Sequence, residues 1–151
     1  MTLWQVEEIR DTDSLFYRVP VGSLRPGDMQ VHPGVFKENK GSMSADWEKY
    51  SSAHDTRARQ GRPERFAIIR MNVGHIREIE GLKVLHEPVQ NVVGKPDNRA
   101  HSAVYGIEGG DKTELGRKEK IRTELLQKFN AWEIAPGAPI DQLTERLASD
   151  L

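Results

Sequence analysis

The chain contains no cysteine. Disulfide bonds, thiol nucleophiles and cysteine-ligated zinc sites are therefore excluded, and this composition is typical of a reducing compartment. The sequence also has no apolar run close to the roughly 20 residues that span a bilayer. Its first residues, MTLWQVEEIRD, lack the basic end and apolar core of a signal peptide. We therefore expect a cytoplasmic protein.

Net charge is almost absent as well, because 22 basic and 23 acidic side chains leave a formal charge of −1. Such a chain has no overall field to attract nucleic acid or an anionic membrane, so neither is expected as a partner. Hydrophobic residues make up only 36% of the 151 residues and charged residues 30%. We expect one domain over residues 1–135 with a thin core and long polar loops, followed by a C-terminal tail, residues 136–151, with a short amphipathic helix.

The pattern of apolar residues predicts an α+β fold. Its sheet is expected to be mixed or mainly antiparallel with about five strands, covered by one long helix in the C-terminal half. Residues 66–73 are the most apolar stretch and predict a central strand. Gly109 to Asp111 predict the start of the long helix, and long polar loops are expected at 22–41 and 88–100. The other predicted strands are residues 14–19, 82–86 and 101–107, with a last edge strand at 131–134 and a short extended piece at 35–37.

Residues 42–60 carry the densest chemistry of the chain, with hydroxyls, carboxylates, two large aromatic side chains and a histidine. Ser44 is suited to cap a short helical turn that has Asp46 in its positive first turn. Trp47 and Tyr50 would then share one face of that turn. Two carboxylates at Asp46 and Glu48 diverge on a helix, which disfavours their pairing in acid/base catalysis.

Two further short helices are predicted. Ser52 and Asp55 have capping-box spacing, with Gly61 as a stop signal. The stretch from residue 73 to 79 offers a short helix or turn with Ile76 and Ile79 turned inward.

Four stretches of this sequence resemble a family of small uncharacterised bacterial proteins. They are SMSADWEKYSS (42–52), VGHIR (73–77), HEPV (86–89) and NRAHS (98–102). The resemblance extends over about residues 14 to 134 and implies no particular activity. Ala45 departs from the pattern, which has a larger β-branched residue there, and this bears on packing more than on chemistry.

The candidate ligand-binding residues are polar or aromatic side chains of predicted strand ends and loops: Arg18, Asp46, Tyr50, Arg99 and His101. His101 is also the candidate catalytic residue, because it stands where a polar loop enters a strand. No metal is expected, since the five histidines lack the spacing of metal ligands. A catalytic triad of Ser44, His101 and Asp46 is disfavoured by the absence of a Gly-x-Ser-x-Gly turn.

Two other patterns have ordinary interpretations. Residues 106–111 precede a predicted helix, whose start can bind an anion, but the lysine and hydroxyl of a P-loop are missing. The basic residues of 117–122 alternate with acidic ones, which is typical of a solvated helix face.

Two functional hypotheses follow. The first is a non-catalytic binding or accessory module that recognises a small polar or anionic ligand or a protein partner. The alternative is an enzyme acting on a nucleotide-like substrate, similar to ADP-ribosyltransferases by analogy. In that hypothesis Arg18 holds a phosphate, Tyr50 or Trp47 stacks a base, and His101 is the acid or base. The sequence indicates no particular cofactor.

Overall fold

A computed structural model of the protein describes residues 2–107 and 115–140. Within these ranges, five strands form one antiparallel sheet: β1 (Ser14–Pro20), β2 (Ser42–Trp47), β3 (Phe66–Asn72), β4 (Lys83–His86) and β5 (His101–Tyr105). The spatial order is β3-β1-β2-β5-β4. The α-helices are α1 (Ala53–Ala58), α2 (Val73–Arg77) and α3 (Leu115–Lys128). The α+β prediction is confirmed, and its antiparallel form is the correct one.

The main core lies on one face of this sheet. Successive side chains of a strand point to opposite faces, so alternate apolar residues of the strands share that face. The long helix α3 covers it, with its apolar stripe at Ile121, Leu125 and the following Phe129. The strand residues buried in this core include Leu15, Tyr17, Val19, Met43, Trp47, Ile69, Met71, Val84 and Val104.

The strand β3 lies at an edge of the sheet, so the prediction of a central strand there is wrong. Its apolar composition has a different reason, because both of its faces are covered. Ile68 points away from the main core and forms a second small cluster with Phe16 and Ile134. The predicted edge strand at 131–134 is reduced to one bridge, in which the Ile68 N–H donates to the Ile134 carbonyl over 2.9 Å.

The predicted helical turn at Ser44 is also wrong, because this segment is the central strand β2. Met43, Ala45 and Trp47 are buried in the core, whereas Ser44 points to the opposite face and is exposed. A tight turn follows the strand and brings the ring of Tyr50 edge-on to that of Trp47, with centroids 5.6 Å apart. Trp47 and Tyr50 therefore lie in contact across a turn, and not on one face of the predicted helical turn.

The two short helices form as predicted. The Ser52 hydroxyl accepts the Asp55 N–H at 3.0 Å, which caps α1. Gly61 has a positive φ of 84°, a conformation that glycine adopts without strain, and the chain reverses there. In and after α2, Ile76 and Ile79 are buried in the core.

The short extended piece predicted at 35–37 is wrong at Val35, which ends a 3-10 turn over Pro33–Val35. Phe36 follows this turn with an extended backbone, and its side chain is buried in the core. The predicted start of the long helix at Gly109 to Asp111 lies outside the described residues. The same holds for the predicted C-terminal helix over 140–151, except for its first residue. Among the helices in the described ranges, none has the length and apolar character needed to cross a membrane.

Candidate functional site

The face of the sheet opposite the main core carries a cluster of polar side chains. Asp46 of β2 lies across from Phe16 of β1 on one side and from His101 of β5 on the other. Because alternate residues share a face, Arg18 and Ser44 join them there. The short helix α1 packs against β1 and β3 beside this cluster. A cavity of about 50 Å³ lies at the centre, lined by Phe16, Arg18, Ser44, Ala45, Asp46, Thr56, Arg59, Asn98 and His101.

The carboxylate of Asp46 is buried and fully engaged. Its Oδ2 accepts the Nε–H of Arg59 at 2.7 Å, and its Oδ1 accepts the side-chain amide of Asn98 at 2.9 Å. An ion pair with this geometry offsets the desolvation of the carboxylate. Asp46 therefore positions two donors at the cavity and has its negative charge matched by Arg59.

Hydrogen bonds continue from Arg59 along the wall of the cavity. Its Nη2 donates to the Ser51 hydroxyl at 2.8 Å, and that hydroxyl pairs with the Thr56 hydroxyl, also at 2.8 Å. The carbonyl of Thr56 then accepts Nη1 of Arg18 at 3.2 Å. The two arginines are thus held by one network that includes the buried residues Ser51 and Thr56.

Arg18 differs from Arg59 in its charge environment, because it forms no ion pair with any residue that the structure describes. Its guanidinium lies over the ring of Phe66, 5.3 Å from the centroid. Burial lowers the pKa of Arg18; the negative charge of Asp46 opposes this effect and the positive charge of Arg59 adds to it. A half-buried cation without a matched carboxylate therefore faces the cavity.

His101 is oriented by a backbone carbonyl. Its Nδ1 lies 2.8 Å from the Glu87 carbonyl, which can only accept, so Nδ1 carries the hydrogen. Nε2 of the neutral ring is then the acceptor and lies 3.3 Å from the Ser44 hydroxyl. The Tyr105 hydroxyl donates to the Glu87 carboxylate at 2.5 Å, and this bond raises the pKa of Tyr105.

Two members of the disfavoured triad therefore meet. Asp46 is not the third member, since its oxygens are taken by Arg59 and Asn98, and the carbonyl of Glu87 occupies the position that would orient the histidine.

Tyr50 and Arg99, the other two predicted ligand-binding residues, do not line the cavity. The Arg99 guanidinium lies 4.3 Å from the Tyr50 ring centroid, and the Tyr50 hydroxyl donates to the Glu7 carboxylate. Bonds from Lys49 and Tyr50 lower the pKa of Glu7. The backbone N–H of Glu7 in turn donates to Nδ1 of the buried His86 at 3.0 Å. These residues hold the N-terminal segment against the domain.

The aromatic side chains proposed to stack a base lie with that second group. Trp47 is buried in the main core and contacts Tyr50 and His86. Neither Trp47 nor Tyr50 lines the cavity beside Arg18. In the described chain, no group of three or more histidine, cysteine, aspartate or glutamate residues is arranged to hold a metal ion.

Among the polar lining residues, sequence reasoning missed three: Thr56, Arg59 and Asn98. A signal existed for all of them, since Thr56 and Arg59 fall in the dense stretch at 42–60 and Asn98 falls in the NRAHS stretch. Interpreting M-S-A-D-W as an alternating strand would have placed Ser44 and Asp46 on one face.

Three of the four stretches that carry the family resemblance, 42–52, 86–89 and 98–102, contact one another. Asn98 donates to Asp46, the Trp47 N–H donates to the Ala100 carbonyl at 2.8 Å, and Nε2 of His86 pairs with the Arg99 carbonyl at 2.7 Å. Comparison of the chain with protein-family models, with curated proteins and with solved structures found no match. The function of the cavity is therefore inferred from its own geometry.

Proposed function

We propose that the protein is a binding module whose cavity accepts the anionic group of a small ligand. The observation that carries the proposal is the charge of Arg18. Its guanidinium is half-buried, burial lowers its pKa, and it has no ion pair among the described residues. A bound anion would supply the missing counter-charge at a place where solvent screens poorly.

The arrangement of donors supports a phosphate-like group. Arg18 comes from β1, Ser44 from β2 and Arg59 from the C-cap of α1, so donors approach the cavity from two strands and the end of a helix. A tetrahedral group offers oxygens in several directions, whereas a carboxylate offers two in one plane. The carboxylate of Asp46 does not cancel this effect, because Arg59 and Asn98 already engage both of its oxygens.

Arg18→Gln is expected to weaken the binding of inorganic phosphate by roughly tenfold to a hundredfold. The reason is the loss of a charge-assisted hydrogen bond, which contributes about 1.5–3 kcal/mol. Isothermal titration calorimetry of the variant and the parent protein measures this difference.

Arg70→Gln is the matched control. Arg70 also lies on a strand of the same sheet, but it pairs with Glu48 and is absent from the cavity lining. Both variants lose one positive charge, so an equal loss of affinity would indicate a general charge effect and contradict the site. Failure of the parent protein to bind phosphate or sulfate would refute the proposal and direct attention to a protein partner.

A second candidate function is an enzyme that acts on the ligand held at Arg18. The specific observation in its favour is the bond from Nδ1 of His101 to the Glu87 carbonyl, which leaves Nε2 as a base directed at the Ser44 hydroxyl. A nucleophile, a base and a group that orients the base are the parts that acyl or phosphoryl transfer requires.

For this candidate, His101→Gln should reduce any turnover of a phosphate ester at least about a hundredfold, the usual contribution of a general base. Release of p-nitrophenol from its phosphate ester is the measurement. His54→Gln, on the half-buried surface of α1, is the control and should keep the parent rate. Turnover that survives in His101→Gln would remove this residue from the chemistry.

A further inference from the structure

The cavity at Arg18 is too small to hold more than the end of a ligand. Its volume is about 50 Å³. Sites that hold whole small molecules have volumes of roughly 300–1,000 Å³, so this cavity takes one charged head group at most. Any organic ligand must therefore place the rest of its atoms outside this cavity.

A groove of about 480 Å³ adjoins the cavity, and Arg18 and Ser44 line both. This volume lies within the roughly 300–1,000 Å³ typical of small-molecule sites. The apolar part of its wall includes Phe66, whose ring lies under the Arg18 guanidinium, and Pro20 at the end of β1. A ligand whose head group pairs with Arg18 would thus lie directly against an apolar surface.

The polar part of the groove contains donors and acceptors that are not in use. The side chains of Lys37, Asn39 and Gln60 line it and make no hydrogen bond with another described residue. Glu38, the one carboxylate in the lining, accepts the backbone N–H of Ile107 at 2.8 Å. Two cations, Arg18 and Lys37, therefore outnumber one engaged carboxylate in the groove, which favours an anion.

We propose that the ligand is a small organic phosphate with a ring in its body. The inference rests on the proposed function, because it takes the phosphate to bind at Arg18. The ring lies along Phe66 and Pro20, and polar substituents of the body reach Asn39 and Gln60.

Phenyl phosphate and methyl phosphate test this inference, since they share a head group and differ only in the body. Phenyl phosphate should bind at least about tenfold more tightly, because it removes the apolar area of a ring from water. Calorimetric titration of both compounds gives the ratio of their affinities. Phe66→Leu should lower this ratio severalfold.

Gln60→Ala provides an independent variant in case Phe66→Leu perturbs folding. This variant is tested with two compounds, phenyl phosphate and a phenyl phosphate that carries an amide substituent on its ring. The ratio of their affinities should be lower in Gln60→Ala than in the parent protein. Both affinities in a ratio are measured on the same variant, so any change in the binding of the shared phosphate group cancels from the ratio. Gln30→Ala, an exposed glutamine outside the groove, should leave both ratios at their parent values.

The outcomes separate the two proposals. If inorganic phosphate and both esters fail to bind, the proposed function is wrong. Equal affinities for methyl and phenyl phosphate would be compatible with the anion site but would refute the binding of the ring in the groove. A phenyl preference that persists unchanged in Phe66→Leu would also overturn it, because the ring would then lie elsewhere.

Discussion

Arg57→Leu is expected to lower the free energy of unfolding by about 3 kcal/mol or more. The Arg57 side chain is almost completely buried and donates to three backbone carbonyls: Phe66 at 2.9 Å, Ala138 at 2.8 Å and Pro139 at 3.2 Å. Leucine fills part of the same volume but makes none of these hydrogen bonds, and a hydrogen bond from a charged group contributes about 1.5–3 kcal/mol. Urea denaturation followed by tryptophan fluorescence measures the change.

The control is Arg62→Leu, a change of the same kind at an exposed arginine a few residues further along the chain. It should alter the free energy of unfolding by no more than about 0.5 kcal/mol. Equal stability of Arg57→Leu and the parent protein would contradict this prediction. Water would then satisfy the three carbonyls, and residues 138–139 would not depend on Arg57 for their attachment to α1 and β3.

Asp46→Asn should change stability and ligand affinity in opposite directions. The substituted amide can present an N–H group where the Nε–H of Arg59 now donates, so the pair loses its acceptor and the protein loses about 2 kcal/mol of stability. At the same time, the cavity loses its one carboxylate while Arg18 and Arg59 remain. We expect phosphate affinity to rise roughly threefold to tenfold, the size of one partly screened charge interaction.

Asp55→Asn removes the same charge from an exposed position on α1 and should leave both quantities near their parent values. Thermal unfolding and calorimetric titration of the two variants supply the comparison. A fall in phosphate affinity in Asp46→Asn would contradict this expectation. It would mean that the positioning of Arg59 and Asn98 by Asp46 has a larger effect on affinity than the repulsion between its carboxylate and the anion.

Much of the sheet could be predicted because its signal is local. A strand with one face buried must alternate apolar and other residues, and the sequence displays this at β1 and β5. The strand β2 was missed because Ser44 and Asp46 are also the residue types that begin a helix. This segment forms a strand because it pairs with β5, for example Ala45 with Ser102. Partners that are so distant in the sequence leave no local pattern.

Composition alone likewise could not reveal the location of β3. A continuous apolar stretch shows that both faces of a strand are covered, but a helix and a returning segment can cover an edge strand as well as a central one. Here α1 and the chain around Ile134 lie over the face that carries Ile68.

The candidate site could be predicted only in part, because strand register brings some of its residues together and long-range contacts place the others. Arg18, Asp46 and His101 lie together because the register of three strands aligns them. Tyr50 and Arg99 belong to a different group because the N-terminal segment folds back onto them. This arrangement of the N-terminal segment depends on contacts such as that of Glu7 with His86, which are 79 residues apart in the chain. No motif in the sequence predicts such a contact.

The bridge between Ile68 and Ile134 also bears on how the protein avoids aggregation. An exposed edge of an apolar strand offers unpaired backbone groups to the strands of other molecules. In this protein the chain that follows α3 returns to β3, and the backbone of Ile68 exchanges hydrogen bonds with it, donating to Ile134 and accepting from Glu133. The outer edge of the most apolar strand is thus paired at Ile68 by the molecule's own chain. Cleavage that removed this segment would expose a surface suited to intermolecular β-pairing, even with the cavity residues still present.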